Sequence, residues 1–566
     1  MCNPSSSFCT NSSFNWESNN IGMADEDTPF LDWKKEYVLD EEPSDEPFDE
    51  FPDPFDEFLS IPYHSSEKEY LPELFLPLCS NESVLECRSP NYKPPNRIVA
   101  WMDDSNRDYS GVMTGVQFRE NLPKKVETST ILDVYKLTTG QRLNHRTLPD
   151  APFRRIHITD PRPHTVTTLI CTAPEKQAPV LREFLKRHVK AEGLMSVRFV
   201  DGIHAFVMEF HLPFWVWGDG ATGSKREDDR RTWDDNPLRR TRDLTFLTRP
   251  TESEINNGDC PSADCLYEAQ SSCVVTGYSN SYWTAISLAD TYFYPGGTDS
   301  DSPDCDENNE DMLPFYKGEN DLDPLTIAKF ARLQKSLDPR QYFLVVLKER
   351  LNKARGEWES VVYRLSLKVK HYPQTPEIMF PASEMALEDT GRQTKVVYQS
   401  YEWVTGLMDV LDMLQVTLSK LTKACVHFDQ YGLPALVGPE PSSQLVPYIQ
   451  EIQQSFHELH NTQEDLANMC HRAQQFKQQI QYFGAPTLAA GLYQANVLEG
   501  ATFIRFLVSS VVIAILGFVV QRLRDILPWS SVWDRLVPGR RPYSGSGQGI
   551  DVDDENPRVN VGSPLG

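Results

Sequence analysis

The 566-residue sequence contains no Cys-x-x-Cys pair, no Gly-x-Ser-x-Gly elbow and no His-Glu-x-x-His pair. Each absence removes a chemistry: the zinc knuckle, the serine nucleophile held on a strained turn, and the helical zinc-protease site. Positive charge is also short, since 55 Lys and Arg against 81 Asp and Glu leave a formal net charge of -26. Phosphate contacts need clustered bases, so nucleic acid is not an expected partner. The opening "MCNPSSSFCTNSSFNWES" has no basic stretch followed by an apolar one, and eleven cysteines in a chain of this length make no disulfide framework. The bulk of the protein is therefore expected to fold in the reducing cytosol, where the sequons at Asn11 and Asn81 have no meaning. Long hydrophobic runs are scarce too: there is one, at 501–521, which argues against a multispanning transporter.

Several near-motifs fail on inspection. "GDGATGSK" (218–225) resembles a phosphate-binding loop, but Ser224 and Lys225 stand in the reverse order and a charged segment follows in place of an apolar helix. Cys260, Cys265 and Cys273 lack both the two-residue gap and a nearby histidine. His204 and His211 are seven apart, which puts them on opposite faces of one strand. The acids Asp299, Asp301, Asp304, Asp306, Glu307, Glu310 and Asp311 lack the glycine and terminal glutamate spacing of an EF-hand loop and read as solvated surface. No catalytic residue, cofactor site or metal site is expected.

The sequence divides by composition. Residues 1–95 form an acidic tail expected to be disordered; 25–59 alone hold fifteen Asp and Glu against Lys34 and Lys35, about half the net charge. A repeat, "PFDEF" at 47–51 and 54–58, presents Phe48, Phe51, Phe55 and Phe58 as a docking motif for a protein partner. Residues 96–294 read as an α+β domain. "RRIHITD" (154–160), "TVTTLICTA" (165–173), "AFVMEFHLPFWVW" (205–217), "DLTFL" (243–247), "SCVVTGY" (272–278) and "YWTAISLADTYF" (282–293) have strand composition, and 175–192 has the apolar spacing of a covering helix. In 205–217, Phe206, Met208, Phe210 and Leu212 alternate with Val207, Glu209 and His211. The mixed-charge stretch 225–243 reads as a surface turn.

Residues 295–324 are an acidic linker, and 325–483 a bundle or stalk of long antiparallel helices. Asp338 and Pro339 suit a helix cap and first turn for 339–372. Val404, Leu407, Leu411, Leu414, Leu418, Leu421, Cys425 and Phe428 follow spacings of three and four, a straight seam for a neighbouring helix. A third helix is expected from about 443 to 483, ending before "GAPTLAAGLYQANVLEG".

The succession "FRRIHITD", "TLICTAPEKQAPVLREFLKRH", "FVMEFHLPFWVW", "YEAQSSCVVTGYSNSYWTAISLADTYF" and "DPRQYFLVVLKERLNKARGEWESVV" resembles an uncharacterised family of filamentous-fungal proteins. In that family an α+β domain precedes a CorA-like, magnesium-transporter-type helical region. The resemblance covers roughly 150–480 and implies membrane association without a catalytic residue. CorA-type channels pass a stalk helix into a first membrane helix, then a Gly-Met-Asn loop and a second membrane helix. This sequence has no Gly-Met-Asn, and no second apolar run follows Val520.

Thr502 to Val520 would span about 28 Å as a helix, close to the hydrocarbon thickness of a bilayer. Ser510, Ala514, Gly517 and Gln521 share a stripe suited to close helix contact in lipid. Two orientation rules conflict. Arg522, Arg524, Arg535, Arg540 and Arg541 would keep the mostly disordered tail 521–566 in the cytosol, whereas the missing leader keeps the N-terminal part there as well. The expected protein is thus an α+β domain, a helical stalk and one C-terminal transmembrane helix, non-enzymatic, with its large N-terminal part cytosolic. Lipid is its first partner, with self-association through 404–428 and 502–520. The alternative is a diverged CorA-like divalent-cation channel subunit.

Overall fold

The computed structural model describes residues 98–104, 111–114, 151, 153–161, 166, 169–170, 173, 177–200, 205–218, 232–233, 236–247, 264–280, 282–293, 338–371, 390–437 and 443–494. Its elements are β1 (Ile98–Asp104), β2 (Gly111–Thr114), β3 (Phe153–Thr159), α1 (Ala178–Val189), β4 (Leu194–Val200), β5 (Ala205–Gly218), β6 (Thr232–Trp233), β7 (Asn236–Pro237), β8 (Thr241–Asp243), β9 (Cys265–Ser279), β10 (Tyr282–Ala289), α2 (Pro339–His371), α3 (Thr390–His427), α4 (Leu433–Val437) and α5 (Val446–Gln494). The chain separates into a unit of residues 1–385 with 398–478 and a unit of 386–397 with 479–566. The described parts of the second, 390–397 and 479–494, are helical.

One mixed sheet organises the first unit, in the order β2-β1-β3-β10-β9-β5-β4, with β8 also paired to β9. β3 and β10 are parallel; β5, β9 and β10 form an antiparallel series. Together with the helices this is an α+β architecture. The hairpin from β9 to β10 requires Gly277, because a Cβ there would lie 2.3 Å from the Tyr282 carbonyl oxygen.

Register assigns the faces. Phe210 is opposite Cys273, which is opposite Ser287, and Phe210 meets Phe343 of α2 at 5.9 Å between ring centroids. α2 therefore covers this face, with Trp283 against Tyr342 adding to the contact. Glu209, His211, Ser272 and Leu288 project from the other face, which α1 covers through Phe184, 5.3 Å from His211. Because helices cover both faces, every residue of β5 is buried. The alternation in 205–217 has the correct period, but its polar side faces α1 and not solvent.

The helical half follows its apolar spacing. Val404, Leu407, Leu411, Leu414, Leu418, Leu421, Cys425 and Phe428 are all buried, about 2 kcal/mol of transfer free energy for each leucine. α3 and α5 are antiparallel, with Gln415 beside Cys470, Thr422 beside Gln463 and Asp429 beside Gln453. Asp338 caps α2 by accepting the Arg340 backbone N–H at 2.8 Å.

Four expectations need correction. In 165–173 the described residues Val166, Leu169 and Ile170 are helical and buried, because their spacing of three and four outweighs the β-branched composition. The strand expected at 243–247 stops at Asp243, whose carboxylate accepts from Thr245 N at 2.7 Å and Thr245 Oγ1 at 3.0 Å and turns the chain into a 3-10 segment, Thr245–Leu247. The stretch 225–243 is not all surface, since Arg239 is fully buried. The third helix does not end near 483: α5 runs through Gly484, Ala485 and Pro486 to Gln494.

Among the described residues no helix is long and apolar enough to cross a membrane. The run 501–521 lies outside them.

Candidate functional site

The α1-facing side of β5, β9 and β10 carries a buried polar cluster. Glu209 and His211 are two apart on β5 and so share a face. Antiparallel register places Ser272 opposite His211 and Gln270 opposite Pro213, and the backbone N–H of Asp290, just past β10, donates to Gln270 O at 3.1 Å. α1 adds Arg187 and His188 from its last turn, and β4 adds Ser196 and Arg198.

Glu209 is the anionic centre. Its Oε1 accepts from Arg187 Nη1 at 2.7 Å, Arg198 Nη2 at 2.6 Å and Ser196 Oγ at 3.0 Å. Burial pushes its carboxyl up, but the neighbouring His211 and the charges of Arg198 and Arg187 prevail and hold it well below the ordinary carboxylate range. Burial lowers the affinity of His211 for a proton, while the Glu209 carboxylate, 3.7 Å from its Nε2, works the other way; the net direction is down.

Arg239 ties the second acid to α1. Its Nε donates to Asp290 Oδ2 at 2.6 Å, Nη1 to the Val189 carbonyl at 2.8 Å and Nη2 to the His188 carbonyl at 2.7 Å. A cation on the last carbonyls of a helix satisfies orphan acceptors and opposes the negative end of the dipole. Asp290 Oδ2 also accepts the Gln270 backbone N–H at 2.8 Å. Asp160, at φ 46°, is held by Thr291 N at 2.6 Å, Thr291 Oγ1 at 2.8 Å and Tyr292 N at 3.0 Å, which fixes the chain leaving β10.

Between the two acids stand His188, Ser272 and His211, a set of residue types that in an open cleft would invite a serine-hydrolase reading. Here Ser272, His211 and Glu209 are 0% exposed and His188 and Asp290 1%. The Ser272 hydroxyl is thus closed off from solvent, and the hydrogen bonds around it tie α1 to the sheet. Sequence reasoning placed Glu209 and His211 on one face but missed His188, Ser272, Asp290 and Arg239; only the alternation in β5 signalled the site.

Phe48, Phe51, Phe55 and Phe58, and Ser510, Ala514, Gly517 and Gln521, lie outside the described residues, as do His204 and Cys260. Cys265 and Cys273 share a face of β9, the first partly exposed and the second buried. No group of three or more metal-ligating side chains is assembled among the described residues. Compared with protein-family models and with curated proteins, the chain matches none of them.

Proposed function

We propose that this chain is a non-enzymatic protein attached to a membrane through 502–520, with its α+β domain and helical stalk on the cytosolic side, serving as a scaffold or sensor. The observation that carries the reading is the length of α5. It continues to Gln494, so that only residues 495–500 separate a 49-residue helix from the apolar run beginning at Ala501. A long helix ending there is suited to lead into a membrane segment, and a run of about 20 apolar residues matches the bilayer core. The sealed cluster on the sheet supports a non-catalytic domain. With the 404–428 seam filled from within the chain, 502–520 is the remaining candidate for self-association, through Ser510, Ala514, Gly517 and Gln521. The acidic tail, through its four phenylalanines, is the proposed contact for a protein partner.

The same helix favours a second reading, a diverged CorA-like divalent-cation channel subunit, since such channels run a stalk helix toward their first membrane helix. Magnesium flux into vesicles reconstituted with the full chain separates the two. The anchor reading expects flux no greater than in empty vesicles. Flux that is several-fold above that level and disappears in Gly517→Leu would replace it with the channel reading.

A further inference from the structure

Ser272 receives two imidazoles at once, with His188 Nδ1 and His211 Nδ1 each 2.9 Å from its Oγ. A hydroxyl has one proton to give, so at most one of these nitrogens is a bare acceptor; the other must carry a hydrogen and donate to Oγ. A neutral imidazole protonated on Nδ1 has no hydrogen on Nε2. Both Nε2 atoms lie against carboxylates, His188 Nε2 at 3.7 Å from Asp290 Oδ1 and His211 Nε2 at 3.7 Å from Glu209 Oε2. With both rings neutral, one carboxylate must therefore face a nitrogen lone pair. A single added proton removes that conflict, and a second would place two N–H donors on one hydroxyl with no acceptor for its own hydrogen.

We infer that the His188–Ser272–His211 chain is a one-proton clasp. It takes one proton from solvent onto His188, facing Asp290, while His211 stays neutral with its hydrogen on Nε2, and this proton binds the end of α1 to the sheet.

The surrounding charges select His188. On the His211 side, Glu209 is matched by two guanidiniums, Arg187 from α1 and Arg198 from β4, with Glu183 of α1 beside Arg187 and Glu192 after α1 adding negative charge at longer range. On the His188 side, the Arg239 guanidinium bound to Asp290 also donates to the Val189 and His188 carbonyls, and Gln270 Nε2 approaches Ser272 Oγ at 3.4 Å. His188 also occupies the last turn of α1, where the helix dipole favours a cation. Loss of the proton returns a lone pair to face Asp290 and loosens that turn. The clasp stands on the folded sheet alone and is independent of membrane attachment.

Selective 15N-histidine spectra of the full chain in detergent, from pH 8 to pH 5, test it. The expected result is that His188, assigned by the signal lost in His188→Gln, passes alone from a ring protonated on Nδ1 to an imidazolium. His211, assigned with His211→Gln, stays a neutral Nε2–H ring throughout. Ser272→Ala should shift the His188 titration by at least half a pH unit. A His211 that protonates with or before His188, a His188 that never titrates, or a titration unmoved by Ser272→Ala would overturn the inference. Hydrogen exchange of the unmodified chain gives a reading that needs no variant. After correction for intrinsic rates, amides of residues 186–192 should exchange at least threefold more slowly at pH 6 than at pH 8, and equal protection would count against the clasp.

Discussion

Glu209→Gln lowers the stability of the folded unit by about 3 kcal/mol at pH 7, read as the shift in the urea midpoint followed by tryptophan fluorescence. The amide is nearly isosteric, so the loss is electrostatic. Three donors, Arg187, Arg198 and Ser196, converge on one carboxylate oxygen, and removal of its charge leaves two guanidiniums around a buried position without a neutralising carboxylate between them. Arg187 and Arg198 keep 19% and 27% side-chain exposure, which permits some solvent relief and sets the figure at the low end for a broken buried pair. The effect also has a pH signature. The folded carboxyl is held below its unfolded value of about 4.5, so the unfolded chain takes up the proton first as the pH falls. The stabilisation is complete above that value and is lost progressively below it. The gap between native and Gln chains should be full at pH 7 and narrow on acidification below about pH 4.5. A midpoint unchanged at pH 7 would show that Glu209 does not hold α1, β4 and β5 together.

Arg239→Ala has the larger expected cost, about 4 kcal/mol, because the fork serves three acceptors and no part of it reaches solvent. Its loss leaves the Asp290 charge buried without its guanidinium and withdraws the donors from the Val189 and His188 carbonyls. The damage should concentrate at the end of α1, so hydrogen exchange across 186–192 accelerates more than exchange in the α3–α5 pair. Arg239→Lys should recover less than half of the loss, since an ammonium cannot address one carboxylate and two carbonyls in the fork geometry. A double variant with Asp290→Asn should cost well below the sum of the singles, as expected for groups in one network. Full recovery by lysine would mean that charge alone, and not the fork, fixes this helix end.

What could be read from sequence follows the range of the interactions. The 404–428 seam was legible because helical periodicity is local, and each of its eight apolar positions is buried. β5 was legible for the same reason, through a period of two, and β10 through its strand-forming composition. The candidate site was legible only in part. Glu209 and His211 show themselves as same-face neighbours, but Ser272 is 61 residues from His211 and 84 from His188. Strand register brings them together, and a slip of one residue would set Cys273 opposite His211 in its place. Arg239 was concealed by its neighbours. "KREDDRRTWDDNPLRRTRD" has the composition of a solvated turn, and only the Asp290 carboxylate and the end of α1 make one of its arginines an interior residue. The end of α5 was misjudged because Gly484 and Pro486 signal a break, although Pro486 costs the helix one hydrogen bond and the alanines around it favour continuation.

Membrane attachment through 501–521 is the central claim, and alkaline carbonate extraction of membranes from cells expressing the full chain tests it most directly. The account predicts that the protein stays in the pellet, and that deletion of 501–521 moves it to the supernatant. Release of the intact chain by carbonate would contradict it.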